Sequence, residues 1–234
     1  MKFAITNYSG GKDSHIAIYK AKADGYNIPF VFTANGGKFH YKLFNNFTNI
    51  ELIKKHCNLM NIEFVEIKFN SYKKFLDDKG FSLFCIGIKE ILSRLNSDNI
   101  TFFSSMDYEI GKDDKLFIEK VKKFLKKLNV GFYSVVNGKS TIDVLKLSLN
   151  FGIKSLIVGI EKKIDFKWLG RVIDYSFVDY IIKERMEGNW IDANNFQTLV
   201  IESPIMKKKI KITDFEIKEL TNSFMLKVND FDVY

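Results

Sequence analysis

Six consecutive residues, Ser9-Gly10-Gly11-Lys12-Asp13-Ser14, combine the groups that a phosphate chain needs. Three small residues in a row let the backbone turn with its N–H groups converging on one concavity, and a helix that starts there adds its positive end. Lys12 brings a mobile positive charge, and the hydroxyls of Ser9 and Ser14 can donate hydrogen bonds. Asp13 has two readings, a ligand for Mg²⁺ or a structural cap of the helix. A Walker loop is excluded, because Asp13 separates Lys12 from Ser14 and the upstream glycine is missing. Gly138-Lys139-Ser140 looks like the end of such a loop, but Tyr133 stands where its first glycine belongs. There Gly138 is expected to turn the chain, and Ser140 or Thr141 to cap a helix.

No other constellation supplies a nucleophile or a metal site. Cys57 and Cys85 are the only cysteines and form no CxxC pair, so neither a zinc site nor a disulfide framework follows, and both are expected to be reduced core thiols. His15, His40 and His56 lie apart from one another and are expected at the surface or in packing. The formal charge of +8 favours an anionic partner, whether nucleotide, RNA or an acidic protein surface. A bias towards Lys, Asn, Ile and Phe is the alternative source of that charge. Apolar runs such as Ser155 to Ile160 are far shorter than the roughly 20 residues of a membrane span, and Met1 to Tyr8 lacks the long apolar stretch of a signal peptide. A cytoplasmic protein is expected.

The elements that must position the loop follow from periodicity. Lys2 to Tyr8 reads as a strand and Ser14 to Asp24 as a helix stopped by Gly25, which puts the glycine turn between strand and helix. A strand at Ile28 to Ala34 is followed by a Gly36-Gly37 loop. Ile50, Ile53, Cys57 and Met60 then recur at steps of three or four, the stripe of an amphipathic helix with His56 beside it. A strand at Glu63 to Phe69, a helix around Leu83 to Leu95, a strand at Ile100 to Ser104 and a helix at Asp113 to Leu128 follow. In the last of these Phe117, Val121, Phe124 and Leu128 face inward. Strands at Gly131 to Val136 and Leu156 to Ile160 flank a helix at Thr141 to Phe151, so the β and α alternation implies a parallel, right-handed wound sheet. Beyond Gln197 the pattern changes to short strands at Thr198 to Glu202, Lys209 to Ile212, Phe215 to Leu220 and Phe224 to Val228, the last two joined as a hairpin through Thr221 and Asn222. This divides the chain into residues 1–129, carrying the glycine loop, and a smaller α+β part, residues 130–234, for substrate.

Ser9 to Ser14 in this context resembles the PP-loop ATP pyrophosphatases. The resemblance implies a Rossmann-like parallel sheet with flanking helices, ATP held through Ser9, Gly10, Gly11, Lys12, Asp13 and Ser14, and a substrate that attacks the α-phosphate. Lys12 and Asp13 are then the catalytic candidates, with Asp13 on Mg²⁺. Phe166-Lys167-Trp168-Leu169-Gly170-Arg171 with Ile173-Asp174, and then Asn195 to Pro204 with a Lys-rich strand, resembles the branch that contains diphthine–ammonia ligase. That branch implies adenylation of the diphthine carboxylate on elongation factor 2 and displacement of AMP by ammonia. Trp168 and Leu169 are expected in core packing. Arg171 suits either a substrate carboxylate or phosphate, or a structural pair with Asp174. The family usually carries a Gly- and Glu-rich run before Phe-x-Thr; here Ile191 to Asn195 stands in its place, with Asp192 and Asn195 where glutamates are expected. Those two are the substrate-side candidates. The loop Ser105 to Lys112 also departs from the family, and Asp107 in it is either a magnesium ligand or a solvated acid. The same fold is used to modify tRNA or to activate a small carboxylate, and a chain that only binds nucleotide is the third alternative.

Overall fold

The computed structural model describes residues 1–35, 50–68, 78–95, 97–105, 107–109 and 112–234. Gly36, Gly37, His40 and Phe69 lie outside them. Strand β1 (Phe3–Ile5) leads through the glycine turn into α1 (Lys12–Ala23), which stops at Gly25, where φ is +79°. The alternation continues through β2 (Phe30–Asn35), α2 (Ile50–Met60), β3 (Glu63–Lys68), α3 (Asp78–Arg94), β4 (Ile100–Ser104), α4 (Lys112–Lys127) and β5 (Gly131–Ser134). Strands β1, β4 and β5 pair in parallel, as do β2 and β3. Single bridges from Phe3 to Asn27 and from Asn7 to Phe32 join the two sets, so the order across the sheet is β3-β2-β1-β4-β5. The chain winds outward from β1 to β3 and then crosses back to β4. The loops after β1 and β4 therefore flank the switch point where open α/β sheets bind their ligands.

Burial explains why these segments fold as they do. On α2 the inward face is Leu52, Ile53, His56, Cys57, Leu59 and Met60, so His56 lies within the stripe. On α4, Phe117, Val121 and Leu125 are buried, and Phe124 and Leu128 pack half-buried at the margin.

The second sheet is antiparallel, with order β7-β6-β9-β8. It comprises β6 (Lys154–Glu161), β7 (Phe196–Glu202), β8 (Ile210–Glu219) and β9 (Ser223–Val233), backed by α5 (Thr141–Asn150) and α6 (Tyr175–Met186). Here the structure corrects two expectations. Leu156 to Ile160 does not extend the parallel sheet; β6 pairs antiparallel with β7 and β9. Both faces of β6 are covered, Ile157 and Ile160 among one cluster and Val158 in another, and a strand covered on both faces shows the continuous apolar run of a parallel strand. Lys209 to Ile212 and Phe215 to Leu220 form one strand, β8, bulged around Asp214. Its hairpin to β9 closes through Leu220 N–H on Ser223 O at 2.8 Å.

β5 hydrogen bonds to β4, so the first sheet runs past residue 130 and ends at Ser134. One apolar cluster joins Tyr8, Ile16 and Ile53 to Leu199, Val200 and Met206, which seats the antiparallel sheet directly on the glycine loop. Among the described residues, no helix is long and apolar enough to cross a membrane.

Candidate active site

The loop is shaped by two glycines and pinned from the far half of the chain. Gly10 has φ +79°, which favours glycine, and a Cβ there would stand 3.3 Å from Ile53 Cγ1 and press on that side chain. Gly11 precedes α1 with no side-chain cap. The first N–H groups of a helix have no intrahelical acceptor, and those of Asp13 and Ser14 fall in that turn. Lys12 N–H is already used: it donates to Thr198 Oγ1 at 3.0 Å, while Val200 N–H donates to Gly10 O at 2.9 Å. Within the loop, Ser9 N–H donates to Ser14 Oγ at 3.2 Å, and Ser14 Oγ donates to Gly11 O at 3.1 Å.

Lys12 is 2% exposed. Its ammonium donates to Asp13 Oδ1 at 2.7 Å and to Tyr108 OH at 3.3 Å, and lies 5.2 Å from the Phe196 ring centre. Tyr108 and Phe196 are site residues that sequence alone did not single out. Burial first, then the charges of Asp13, Glu109 and Asp192, push the Tyr108 phenol well above its ordinary range, so it stays a neutral donor. Asp13 is partly exposed, at 33%. Among the described residues no three His, Cys, Asp or Glu side chains cluster to hold a metal. Mg²⁺ commonly takes one or two carboxylates together with phosphates and water, and Asp13 beside the loop fits that donor set.

The other predicted residues separate into two places. Asp192 and Asn195 bracket a short helical turn just before Phe196: Asn194 N–H donates to Asp192 Oδ1 at 2.8 Å, and Asp192 N–H to Asn195 Oδ1 at 2.7 Å. Asn195 Nδ2 donates to Glu161 Oε2 at 2.9 Å, so both ends of this buried amide are engaged within the chain. The charge of Asp192 is the last and smallest of the contributions that raise the Tyr108 phenol. Arg171 is exposed, with its guanidinium carbon 5.1 Å from the Trp168 ring centre, and its backbone carbonyl accepts from Ile157 N–H on β6 at 2.9 Å. The hydrogen bond from Ser176 Oγ, with a smaller part from the Arg171 charge, lowers the pKa of Asp174, whose carboxylate caps α6. Trp168 is buried against Phe177, as core packing. Asp107 accepts from Ser134 Oγ.

Beneath the loop, Tyr8 OH lies 3.2 Å from His15 Nδ1 and 2.9 Å from His56 Nδ1, and His15 Nε2 is 2.7 Å from Ser203 Oγ. Burial, with the neighbouring His56 and Lys22, lowers His15 to about 3, and burial lowers His56 to about 4. Both rings are neutral near pH 7 and act as hydrogen-bonding struts. Burial pushes the Cys57 thiol up to about 12, which removes it as a nucleophile.

Residues 140–230 match the family model of the diphthamide synthase C-terminal domain. No curated protein matches the chain. Among solved structures, the chain matches the crystal structure of a predicted subunit of tRNA methyltransferase from Methanocaldococcus jannaschii, 17% identical over 87% of this chain and 100% of that one, with a TM-score of 0.43. The match falls on the half of the chain that holds Trp168 to Arg171 and Asn195 to Pro204, the motifs on which the resemblance to the diphthine–ammonia ligase branch was drawn.

Proposed function

We propose that this protein is an ATP-dependent, amide-forming ligase of the diphthine–ammonia ligase type. The observation that carries the reading is the start of α1 at Lys12, without a side-chain cap, at the end of the glycine turn and at the switch point of the sheet, with the Lys12 ammonium beside Asp13. The N–H groups of Asp13 and Ser14, the Ser9 hydroxyl and Lys12 would take the β- and γ-phosphates of ATP. Mg²⁺, when bound, offsets phosphate charge, and Asp13 would hold it.

In this reading the diphthine carboxylate of elongation factor 2 forms a bond to the α-phosphorus as the bond to the pyrophosphate oxygen breaks. Ammonia then adds to the acyl carbon and loses a proton while AMP departs with the oxygen. The protein supplies alignment and charge neutralisation on the leaving groups, so no side-chain nucleophile is required. That agrees with the buried Cys57 and the two neutral histidines. The rival reading, an enzyme acting on tRNA, has the net charge of +8 in its favour and the buried Cys57, which offers no thiolation chemistry, against it.

Calorimetric titration with a non-hydrolysable ATP analogue tests the loop assignment. Wild-type protein should bind, and Lys12→Ala should lose most of the affinity while keeping its fold. Equal affinity in both would remove the loop from the account.

A further inference from the structure

Arg185, on α6, sits where two loops meet. Its NH1 and NH2 donate to the two carboxylate oxygens of Glu109 at 3.1 and 2.8 Å, and its Nε and NH2 donate to Ile191 O at 2.9 and 2.6 Å. The two side chains are only 12% and 19% exposed. Trp190 lies 4.2 Å from the guanidinium carbon, and Thr141 Oγ1 also donates to Glu109. A planar fork of this kind fixes direction as well as distance, which a lysine cannot do.

What the fork fastens is the surround of Lys12. Glu109 directly follows Tyr108, whose hydroxyl meets the Lys12 ammonium at 3.3 Å. Glu109 itself is held at φ +44°, in the left-handed region that a glutamate enters only at a cost and keeps only when its surroundings impose it. On the other side Ile191 directly precedes Asp192, and Phe196 follows one helical turn later against the same ammonium at 5.2 Å.

We propose that the Arg185–Glu109 ion pair is a positioning clamp for the nucleotide site, holding Tyr108 and Glu109 on one hand and the turn from Asp192 to Phe196 on the other beside the Lys12 ammonium. Neither residue belongs to the glycine motif, and each acts through its neighbour. The pair keeps Tyr108 and the Asp192 turn in place, so the Lys12 ammonium stays beside the mouth of the PP-loop instead of sweeping through solvent. The functional meaning rests on Lys12 being the phosphate-binding lysine; the clamp itself is testable without nucleotide.

The test is acylation of lysines by an amine-reactive ester on the full chain, read residue by residue by mass spectrometry. In Glu109→Gln and in Arg185→Lys, Lys12 should be modified about tenfold faster or more than in wild type, because a broken buried pair releases both loops. Lys22, which donates to Met60 O at 2.8 Å away from these loops, should keep its wild-type rate. The double variant should label Lys12 no faster than the quicker single one, since one contact cannot be lost twice. Unchanged Lys12 protection overturns the clamp, and so does a parallel rise at Lys22, which would mean general loosening. A protein that fails to bind ATP but shows the expected labelling would leave the clamp standing and remove only the reading of what it serves.

Discussion

Lys12 is a cation with little water around it: its countercharge is one partly exposed carboxylate, and its other neighbours are a phenol and a phenyl ring. Such a group gains from a phosphate arriving in the same crevice. Truncating it to Lys12→Ala should lower acceptor-dependent pyrophosphate release by about 10²–10³-fold, the usual loss for one preorganised donor to a developing anion; a rate within a few-fold of wild type would argue against its role. Gly10→Ala should cost stability by about 1–2 kcal/mol from left-handed backbone alone, with more from the push on Ile53, read as a shift of the urea midpoint. An unchanged midpoint would mean that the turn relaxes. The loop was legible in the sequence because its groups are contiguous. Tyr108 was not, since it reaches Lys12 across 96 residues from a loop that departs from the family pattern. Asn195, expected on the substrate side, has its amide oxygen bonded to Asp192 N–H and its amide nitrogen to Glu161.

At the scale of elements, the end of β1, α1, α2 and the end of β7 are tied together by Tyr8, His15, His56 and Ser203. Folded, the two histidines resist protonation down to about 3 and about 4. An unfolded chain takes up those protons near pH 6.5. The unfolded state therefore binds more protons throughout that window, and stability rises with pH across it. The contribution is complete above about pH 6.5 and is lost as pH falls towards 4 and then 3. Urea midpoints measured at pH 7 and pH 5 should differ accordingly, and His56→Gln should flatten the dependence; a wild-type midpoint equal at both values would contradict it. Most helices were legible, because their apolar stripes keep the helical period. The strands of the second sheet were harder. β6, covered on both faces, carries no alternation to mark its antiparallel neighbours, and the bulge at Asp214 makes β8 read as two strands.

For the molecule as a whole, the antiparallel sheet does not hang beside the parallel one. It completes the loop, through Thr198 on Lys12 N–H and Val200 on Gly10 O, and shares one apolar cluster with it. Nucleotide should therefore stabilise both halves in a single transition. At a hundredfold excess over the dissociation constant the gain is about 2.7 kcal/mol, a rise of about 5–10 °C in Tm for a chain of this size. Two separate transitions, with only one of them shifted, would contradict this coupling. The central claim concerns what the assembled site does. The most direct test is release of pyrophosphate and AMP from ATP and Mg²⁺, with ammonium and diphthine-bearing elongation factor 2 both present or each omitted in turn. The account predicts that AMP accumulates only when both are present; AMP that appears with neither, or with tRNA or a small carboxylate in place of the elongation factor, would contradict it.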